Sequence, residues 1–447
     1  MRQLLNHSLV IALLLPLSTN AQNEVALSLS LEEAMDLAVK KNVLAKGARL
    51  NVEKQKAINN EITAIAYPQI KAKGEFNDYI NPIQSFVPAE FIGGAPGTFV
   101  AVPFTPQYGA TASATASQVI FDGSVLVALQ ARKAVLKLYD EMAQYTEEEL
   151  RYNVHKAYYG VVVAEKQYET LKQTLQYIRK MGSETQATYE LGLIEQLDVD
   201  KIKVQINNLV SDSISTGNII EVSKQLLKYQ MNIDINTPIV LTDTSITDNI
   251  AEANSMLLEE VKYTNRTDYL LQKSKLELYQ YDLKRHRFSG LPSLAAFGTA
   301  AYTYQTNTFS EIFNKPYIFY SLVGLQLNVP IFDGWARRSR VAQAKISIQQ
   351  AEDSLDYLKS GIDFQAGQSR TTLKNALYSM ENQERNFTLA MSILETTRKK
   401  YNAGVGSSTE VSQAQTEMLA AQGKYFEAML ATINAQSDLR KALGQFK

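Results

Sequence analysis

The stretches Val119-Ile120-Phe121-Asp122-Gly123 and Pro330-Ile331-Phe332-Asp333-Gly334 decide how this chain folds. Each ends an alternating, strand-like segment and opens a long segment with helical spacing that contains no proline. Further along come Tyr189-Glu190-Leu191-Gly192 and Tyr401-Asn402-Ala403-Gly404, which lie 212 residues apart (189 to 401). Because matching signals recur in the same order at a near-constant offset, the sequence predicts an internal duplication of two long repeats.

Each repeat carries two alternating segments, and strands are predicted at about 69–79, 108–121, 293–304 and 317–332. In the first segment the apolar and polar residues separate cleanly onto two faces: Ile70, Ala72, Gly74 and Phe76 against Lys71, Lys73, Glu75 and Asn77. Strands of about 9 to 11 residues that are apolar on one face and polar on the other are typical of outer-membrane barrels.

Long connections join the two strands of each repeat. Residues 81–106 are rich in proline and glycine, which excludes a regular helix or a central strand and predicts a long surface loop. The connection at 305–316 is shorter. Since the external loops of such barrels are the long ones, both connections are expected on the outside of the cell.

Helical hairpins follow the strands, at 124–231 and 335–443, with turns at Gly192 and Gly404. A helix of some 65 residues would reach about 100 Å, far beyond the usual length in globular proteins, so long laterally packed helices are predicted. The same 212-residue offset places Asp198 and Glu410 (198 to 410) at equivalent points just past the two turns.

The predicted domain order has four parts. Residues 1–21 read as a secretory signal peptide, with cleavage after Ala21. The first repeat spans 22–231 and begins with a helix over 31–66, for which Ser30 and Glu33 form a capping box. A linker at 232–254, with a short strand, leads to the second repeat at 255–447.

Composition argues against several classes of function. The formal net charge is -1, the chain has no cysteine, and His155 and His286 are the only histidines after the predicted signal peptide. The sequence therefore lacks the cysteine and histidine residues from which a nucleophile–histidine pair or a zinc site is built. No enzyme activity, metal or cofactor is expected. The sequence also contains no long run of lysine and arginine of the kind that would indicate nucleic-acid binding.

The junctions between strand and helix have a structural explanation. Asp122 and Asp333, each followed by glycine (Gly123 and Gly334), are predicted N-caps that accept backbone N–H bonds. Phe121, Phe332 and Trp335, the only tryptophan, are expected at the membrane–water boundary as an aromatic girdle, although ordinary core aromatics would also fit.

This duplicated order of two strands, Phe-Asp-Gly, a very long helix, a Tyr-x-x-Gly turn and a returning helix resembles the TolC family of outer-membrane efflux proteins. The resemblance extends from about residue 29 to 445. It implies a mixed α and β membrane protein and a homotrimer, in which each protomer gives four strands to a shared twelve-stranded outer-membrane barrel. The helices would form a periplasmic α-barrel. Independently, four strands alone would leave open edges in lipid, which the bilayer does not tolerate.

The resemblance also assigns candidate site residues. The hairpin tips, Leu191-Gly192-Leu193 and Ala403-Gly404-Val405, would contact a periplasmic membrane-fusion adaptor. Glu410, with Asp198 as its counterpart in the first repeat, would form a selectivity ring at the periplasmic gate. The family's second acidic position is Gln413 here, and Gly406 or Ser407 replaces the expected basic residue.

The expected function is a passive one. The chain would be the outer-membrane channel of a tripartite efflux system in a Gram-negative bacterium, serving an inner-membrane pump of the RND or ABC type. The exit duct of a type I protein-secretion system is an alternative of the same class. A trimeric coiled-coil surface adhesin or structural fibre is the alternative from a different class.

Overall fold

The computed structural model describes residues 26–314 and 316–446, apart from the side chains of 247–251 and 402. The predicted signal peptide at 1–21 lies outside the described residues. The first half of the chain forms β1 (Leu27–Leu29), α1 (Leu31–Lys41), α2 (Val43–Ala64), β2 (Gln69–Asp78), β3 (Gln84–Pro88), β4 (Phe99–Pro103), β5 (Tyr108–Phe121), α3 (Gly123–Glu190) and α4 (Gln196–Met231). The second half forms β6 (Ile239–Leu241), α5 (Ile246–Met256), α6 (Thr267–Phe288), β7 (Ser293–Thr306), β8 (Ile318–Asn328), α7 (Ala336–Asn402) and α8 (Ser408–Leu443).

Two helices replace the single helix expected over 31–66. Ser30 and Glu33 do form the capping box, in which the Ser30 hydroxyl accepts from the Glu33 N–H and the Glu33 carboxylate accepts from the Ser30 N–H. Asn42 interrupts the helix because its backbone is extended and its side chain accepts from the N–H of Leu44, 2.8 Å away. Asn42 thus caps α2 and bends the chain between α1 and α2.

The linker at 232–254 contains the short strand β6, and its last part belongs to helix α5. β6 pairs in parallel with β1, so the start of the described chain is tied to the middle. Around this pair lies the largest apolar core, built from α1, α3, α4 and α8 and including Tyr158, Leu227 and Ile433. The two repeats therefore share one core at this level.

The four long strands form one antiparallel sheet in the order β2-β5-β7-β8. The register places the apolar residues of neighbouring strands side by side, since Ala72 pairs with Ala114 and Ala114 with Ala300. On the other face Lys73 pairs with Ser113 and Ser113 with Ala301. The apolar face predicted from the alternation is thus continuous across the sheet. The register shifts by one residue between Val119 and Phe121, where the strand bulges.

The long helices keep the order of the strands to which they connect. In the half nearest the sheet α2 packs on α3, α3 on α6 and α6 on α7. β2 follows α2, β5 leads into α3, β7 follows α6 and β8 leads toward α7. Sheet and helices therefore form one open layer with β2 and α2 at one side and β8 and α7 at the other.

The end of β8 and the connection at 81–106 differ from the prediction. β8 ends at Asn328 rather than near 332, because Pro330 has no N–H to donate to a neighbouring strand. The segment at 81–106 is not an irregular loop, since β3 and β4 pair within it as an antiparallel hairpin. Proline is tolerated there because both strands of a two-stranded hairpin are edges.

Candidate functional site

The two turns between the long helices have the same geometry. Gly192 and Gly404 both have a φ of 75°, the left-handed conformation that glycine adopts at little cost. The N–H of Gly192 donates to the Tyr189 carbonyl at 2.8 Å, and the N–H of Gly404 donates to the Tyr401 carbonyl at 2.9 Å. The duplication predicted from the sequence therefore extends to the hydrogen bonds of the turns.

Apolar side chains stand uncovered on these turns. Leu191, Leu193 and Val405 are 75%, 72% and 77% exposed, and Ala403 is exposed beside them. Contiguous apolar surface that is exposed to water often marks a site of contact with another protein. Their predicted role as adaptor contacts stays a prediction.

The two candidate gate carboxylates have different surroundings despite their equivalent positions. Glu410 is exposed in the first turn of α8, where its N–H donates to the Ser407 capping hydroxyl at 3.2 Å. Asp198 is largely covered and accepts a hydrogen bond from the Ser408 hydroxyl of the second hairpin. Asp198 thus ties the two tips together, whereas Glu410 keeps its charge in solvent.

Three residues of this tie, Ser408, Lys201 and Thr409, were not predicted from the sequence. The Lys201 ammonium lies 3.7 Å from the Asp198 carboxylate and donates to the Thr409 hydroxyl at 3.0 Å. Ser408 is buried, whereas the duplication aligns it with Gln196. This difference between the two repeats was the signal in the sequence that could have revealed the tie. The small serine fits between the tips, whereas a side chain as long as glutamine would separate them.

At the first strand–helix junction, Asp122 is the N-cap that was predicted. Its carboxylate accepts from the N–H groups of Ser124 at 2.8 Å and Val125 at 3.1 Å. Gly123 is required because a Cβ there would lie 2.5 Å from the Phe288 carbonyl oxygen at the end of α6. The junction therefore fixes α3 against α6 at the base of the sheet.

The second junction corrects the prediction for Asp333. Gly334 and Trp335 both have positive φ, so α7 starts only at Ala336 and Trp335 occupies the cap position. Asp333 instead accepts from the N–H of Arg337 at 2.7 Å. Phe332 and Trp335 are exposed and pack edge to face at 5.9 Å. The predicted girdle role of Phe121, Phe332 and Trp335 stays a prediction.

Each of the two histidines contacts another side chain of the helices. His155 is fully buried, its Nδ1 lies 2.9 Å from the Ser437 hydroxyl, and burial with the nearby Arg440 charge lowers its pKa to about 3. His286 lies 3.3 Å from the Asp282 carboxylate in the last turns of α6. Across residues 26–314 and 316–446, no group of three or more histidine, aspartate or glutamate side chains could hold a metal ion.

The helices, although long, carry charged and polar residues along their length. Within the described ranges, none is both long enough and apolar enough to cross a membrane.

Comparison with known proteins identifies the family. The sequence profile described as "Outer membrane efflux protein" matches residues 36–209 and 265–445, which is most of the chain and both repeats. The chain belongs to this family. The TolC-like fold, the outer-membrane location with a periplasmic extension, and the channel function in efflux are therefore confirmed.

Curated relatives and solved structures agree with this assignment. The outer membrane protein TolC of Vibrio cholerae is 21% identical over 331 residues, covering 73% of this chain and 75% of that protein. TolC of Escherichia coli K12 is 22% identical over 343 residues, covering 75% and 69%. The outer membrane protein VceC from Vibrio cholerae has a similar fold, with a TM-score of 0.68 at 14% identity over 93% of this chain and 96% of VceC. The open state of the Neisseria gonorrhoeae MtrE outer membrane channel reaches a TM-score of 0.69 at 16% identity, covering 93% and 89%.

Proposed function

We propose that this outer-membrane efflux protein works as a homotrimeric exit duct, in which three four-stranded sheets close one twelve-stranded barrel. The observation that carries the proposal is the open layer. β2 and β8 each have one unpaired edge in the sheet order β2-β5-β7-β8. In lipid, unpaired N–H and C=O groups have no water to bind, so the edges of one chain must pair with those of others.

The helices at the sides of the layer carry matching features. On α7, Tyr357, Phe364 and Tyr378 are exposed and recur at multiples of seven residues, so they share one stripe. On α2, Val43 and Leu44 are exposed where this helix begins. Apolar stripes on a helix are normally buried against another element. The α7 side of one chain and the α2 side of the next chain are therefore suitable partners. Their pairing would continue the barrel as a tube of helices in the periplasm.

The tips would be the end that receives solutes. They lie about 100 Å from the sheet along helices of 68 and 67 residues. Their exposed Leu191, Leu193 and Val405 suit the contact with a periplasmic membrane-fusion adaptor, through which an inner-membrane pump of the RND or ABC type would deliver solutes. Chemistry and energy would come from the pump.

Glu410 would act as the selectivity residue of this entrance. Three-fold symmetry turns one exposed carboxylate per chain into a ring of three, and like charges around a narrow pore concentrate cations and exclude anions. Asp198 would have a different task, because its bond with Ser408 holds the first hairpin against the second. Release of that tie would let the tips separate.

Two measurements test the proposal. Native mass spectrometry in detergent should give three chains per particle, and planar-bilayer recordings should show a conducting pore. A folded monomer without conductance would overturn it. A duct for type I protein secretion remains the alternative of the same class, and identification of a neighbouring pump and adaptor would distinguish the two. Family membership disfavours the surface fibre.

A further inference from the structure

The hairpin formed by β3 and β4 (residues 84–103), termed here the mouth hairpin, is apolar on both faces. In its register Phe86 pairs with Ala101 and Pro88 with Phe99, which places both phenylalanines on one face. The opposite face carries Val87, Val100 and Val102. Phe86 and Phe99 are 73% and 65% exposed. A hairpin face that lay in water would be expected to carry polar residues, so the strongly exposed phenylalanine face calls for cover.

The mouth hairpin also has a defined shape. Ala89 is buried at its tip, where its N–H donates to the Thr98 carbonyl at 2.8 Å and its carbonyl accepts from the N–H of Gly94 at 2.7 Å. Glu90, the only charged residue between Tyr79 and Gln107, accepts from the N–H of Gly97 at 3.0 Å. An isolated two-stranded hairpin is marginal in water, so this ordered and nearly uncharged one needs a packing partner.

A second apolar surface breaks the alternation of the large sheet. Ile318, Tyr320 and Leu322 on β8 pair with Thr303, Ala301 and Thr299. Following the register across β5 to β2 leads from these positions to Glu75, Lys73 and Lys71. The three residues thus lie on the polar face, where the sheet otherwise carries charged, polar, alanine and glycine residues, apart from Phe297 and Val119 nearer the helices. They are 67%, 43% and 44% exposed, and they are termed here the lumenal patch.

We infer that the mouth hairpin of one protomer folds into the barrel mouth and packs its Phe86 and Phe99 face on the lumenal patch of the next protomer. This inference rests on the proposed trimer. The mouth hairpin leaves the sheet at Asp78, the outer end of β2, and the lumenal patch lies at the outer end of β8. Closing the barrel brings these two edges together, and both surfaces are apolar and uncharged.

Within one chain the mouth hairpin leaves the lumenal patch exposed, so the inference places the contact between chains. Two strands, β5 and β7, separate β2 from β8 within one sheet, and neighbouring strands lie about 4.8 Å apart. Across the seam of the proposed trimer, β2 and the next chain's β8 are direct neighbours. Three such contacts would line the exit with uncharged surface and narrow it at the end opposite to Glu410.

Cysteine cross-linking tests this placement, because the natural chain contains no cysteine. The pairs Phe86→Cys with Tyr320→Cys and Phe99→Cys with Tyr320→Cys are each oxidised in the detergent-solubilised trimer. Denaturing gels should then show covalent dimers and trimers that return to monomers on reduction. The matched control replaces Tyr320 by its neighbour, as Phe86→Cys with Phe319→Cys, because Phe319 pairs with Tyr302 on the opposite face of the sheet.

Each other outcome would overturn the inference. Cross-links in the Phe319 control would place the mouth hairpin on the lipid side, and cross-links in Phe86→Cys alone would place three mouth hairpins together on the symmetry axis. An intact trimer without cross-links in either Tyr320 pair would mean that the hairpin does not reach the lumenal patch. A wild-type protein that is monomeric by native mass would instead remove the proposed trimer itself.

Discussion

At the scale of single residues, Glu410 and Asp198 occupy equivalent positions in the two repeats but have different surroundings. The exposed Glu410 is the candidate for ion selectivity. Glu410→Gln should lower the preference for cations in bilayer recordings at 0.1 M salt, and the difference should shrink at 1 M as the Debye length falls from about 10 Å to about 3 Å. Glu190→Gln, which removes the same charge from an exposed position before the first turn, is the control. Equal selectivity of Glu410→Gln and wild type at low salt would leave Glu410 as an ordinary solvated carboxylate.

His155 should make the stability of the protein depend on pH. Burial lowers its pKa to about 3, whereas an unfolded histidine has a pKa of about 6.5. The unfolded state therefore binds the proton first. The stability that neutral His155 contributes is complete above about pH 6.5 and is lost as the pH falls toward 3, amounting to about 2 to 3 kcal/mol by pH 4.5.

Thermal melting followed by circular dichroism checks this pH dependence. The melting temperature of the wild type should fall between pH 7 and pH 4.5, and that of His155→Phe should fall less. Phenylalanine keeps an aromatic ring beside Tyr159 and Phe446, whose rings lie 5.0 and 5.5 Å from that of His155. Parallel curves for the two proteins would assign the pH dependence to the carboxylates instead.

A site residue could be predicted from the sequence when its contacts are with residues close to it along the chain. Gly192, Gly404 and Asp122 act on backbone within a few residues, so their type and spacing sufficed. The bond between Ser408 and Asp198 joins residues 210 positions apart, and it depends on how two hairpins pack. Asp333 was mispredicted because Trp335 follows where Ser124 stands in the first copy, and the left-handed Gly334 and Trp335 delay the helix.

At the scale of elements, the two helical turns present uncovered apolar side chains to solvent. Leu193→Arg should abolish export while the trimer still assembles, because docking would bury an unpaired charge without changing the barrel. Leu258→Arg is the matched control, since Leu258 is 88% exposed and lies after α5, far from the tips along the chain. Accumulation of an exported solute in cells measures export, and native gels measure assembly. Normal export by Leu193→Arg would argue that the tips do not dock.

Strands and helices were predictable to different degrees for a physical reason. Alternation in β2 and β5 specifies both the element and its face, because one face meets apolar and the other polar surroundings. β3 and β4 were missed because prolines and two apolar faces hide any alternation. The break at Asn42 was hidden in a continuous helical pattern, where one side chain decides between continuing the helix and capping a new one.

At the scale of the whole molecule, the side of the membrane on which each connection lies can be tested directly. A flexible peptide tag long enough to extend out of the barrel mouth, inserted between Ala95 and Pro96 at the exposed tip of the mouth hairpin, should be accessible to antibody on intact cells. The reason is that this connection leaves the sheet at the end opposite to the long helices. A tag between Gly217 and Asn218 of α4 should be detected only after permeabilisation. Labelling of the first tag only in permeabilised cells would reverse the topology.

The open layer described above has a consequence for how the channel is made. Joining two chains hides two strand edges and leaves two, so a dimer has as many free edges as a monomer, and only the third chain removes them all. Assembly should thus gain most of its stability in its last step, and partial rings should not accumulate. A chain with a defective strand edge would prevent the whole ring in which it takes part from closing. When defective and normal chains are made in equal amounts and mix at random, about one ring in eight escapes, so a defect in half of the chains would cost the cell most of its channels.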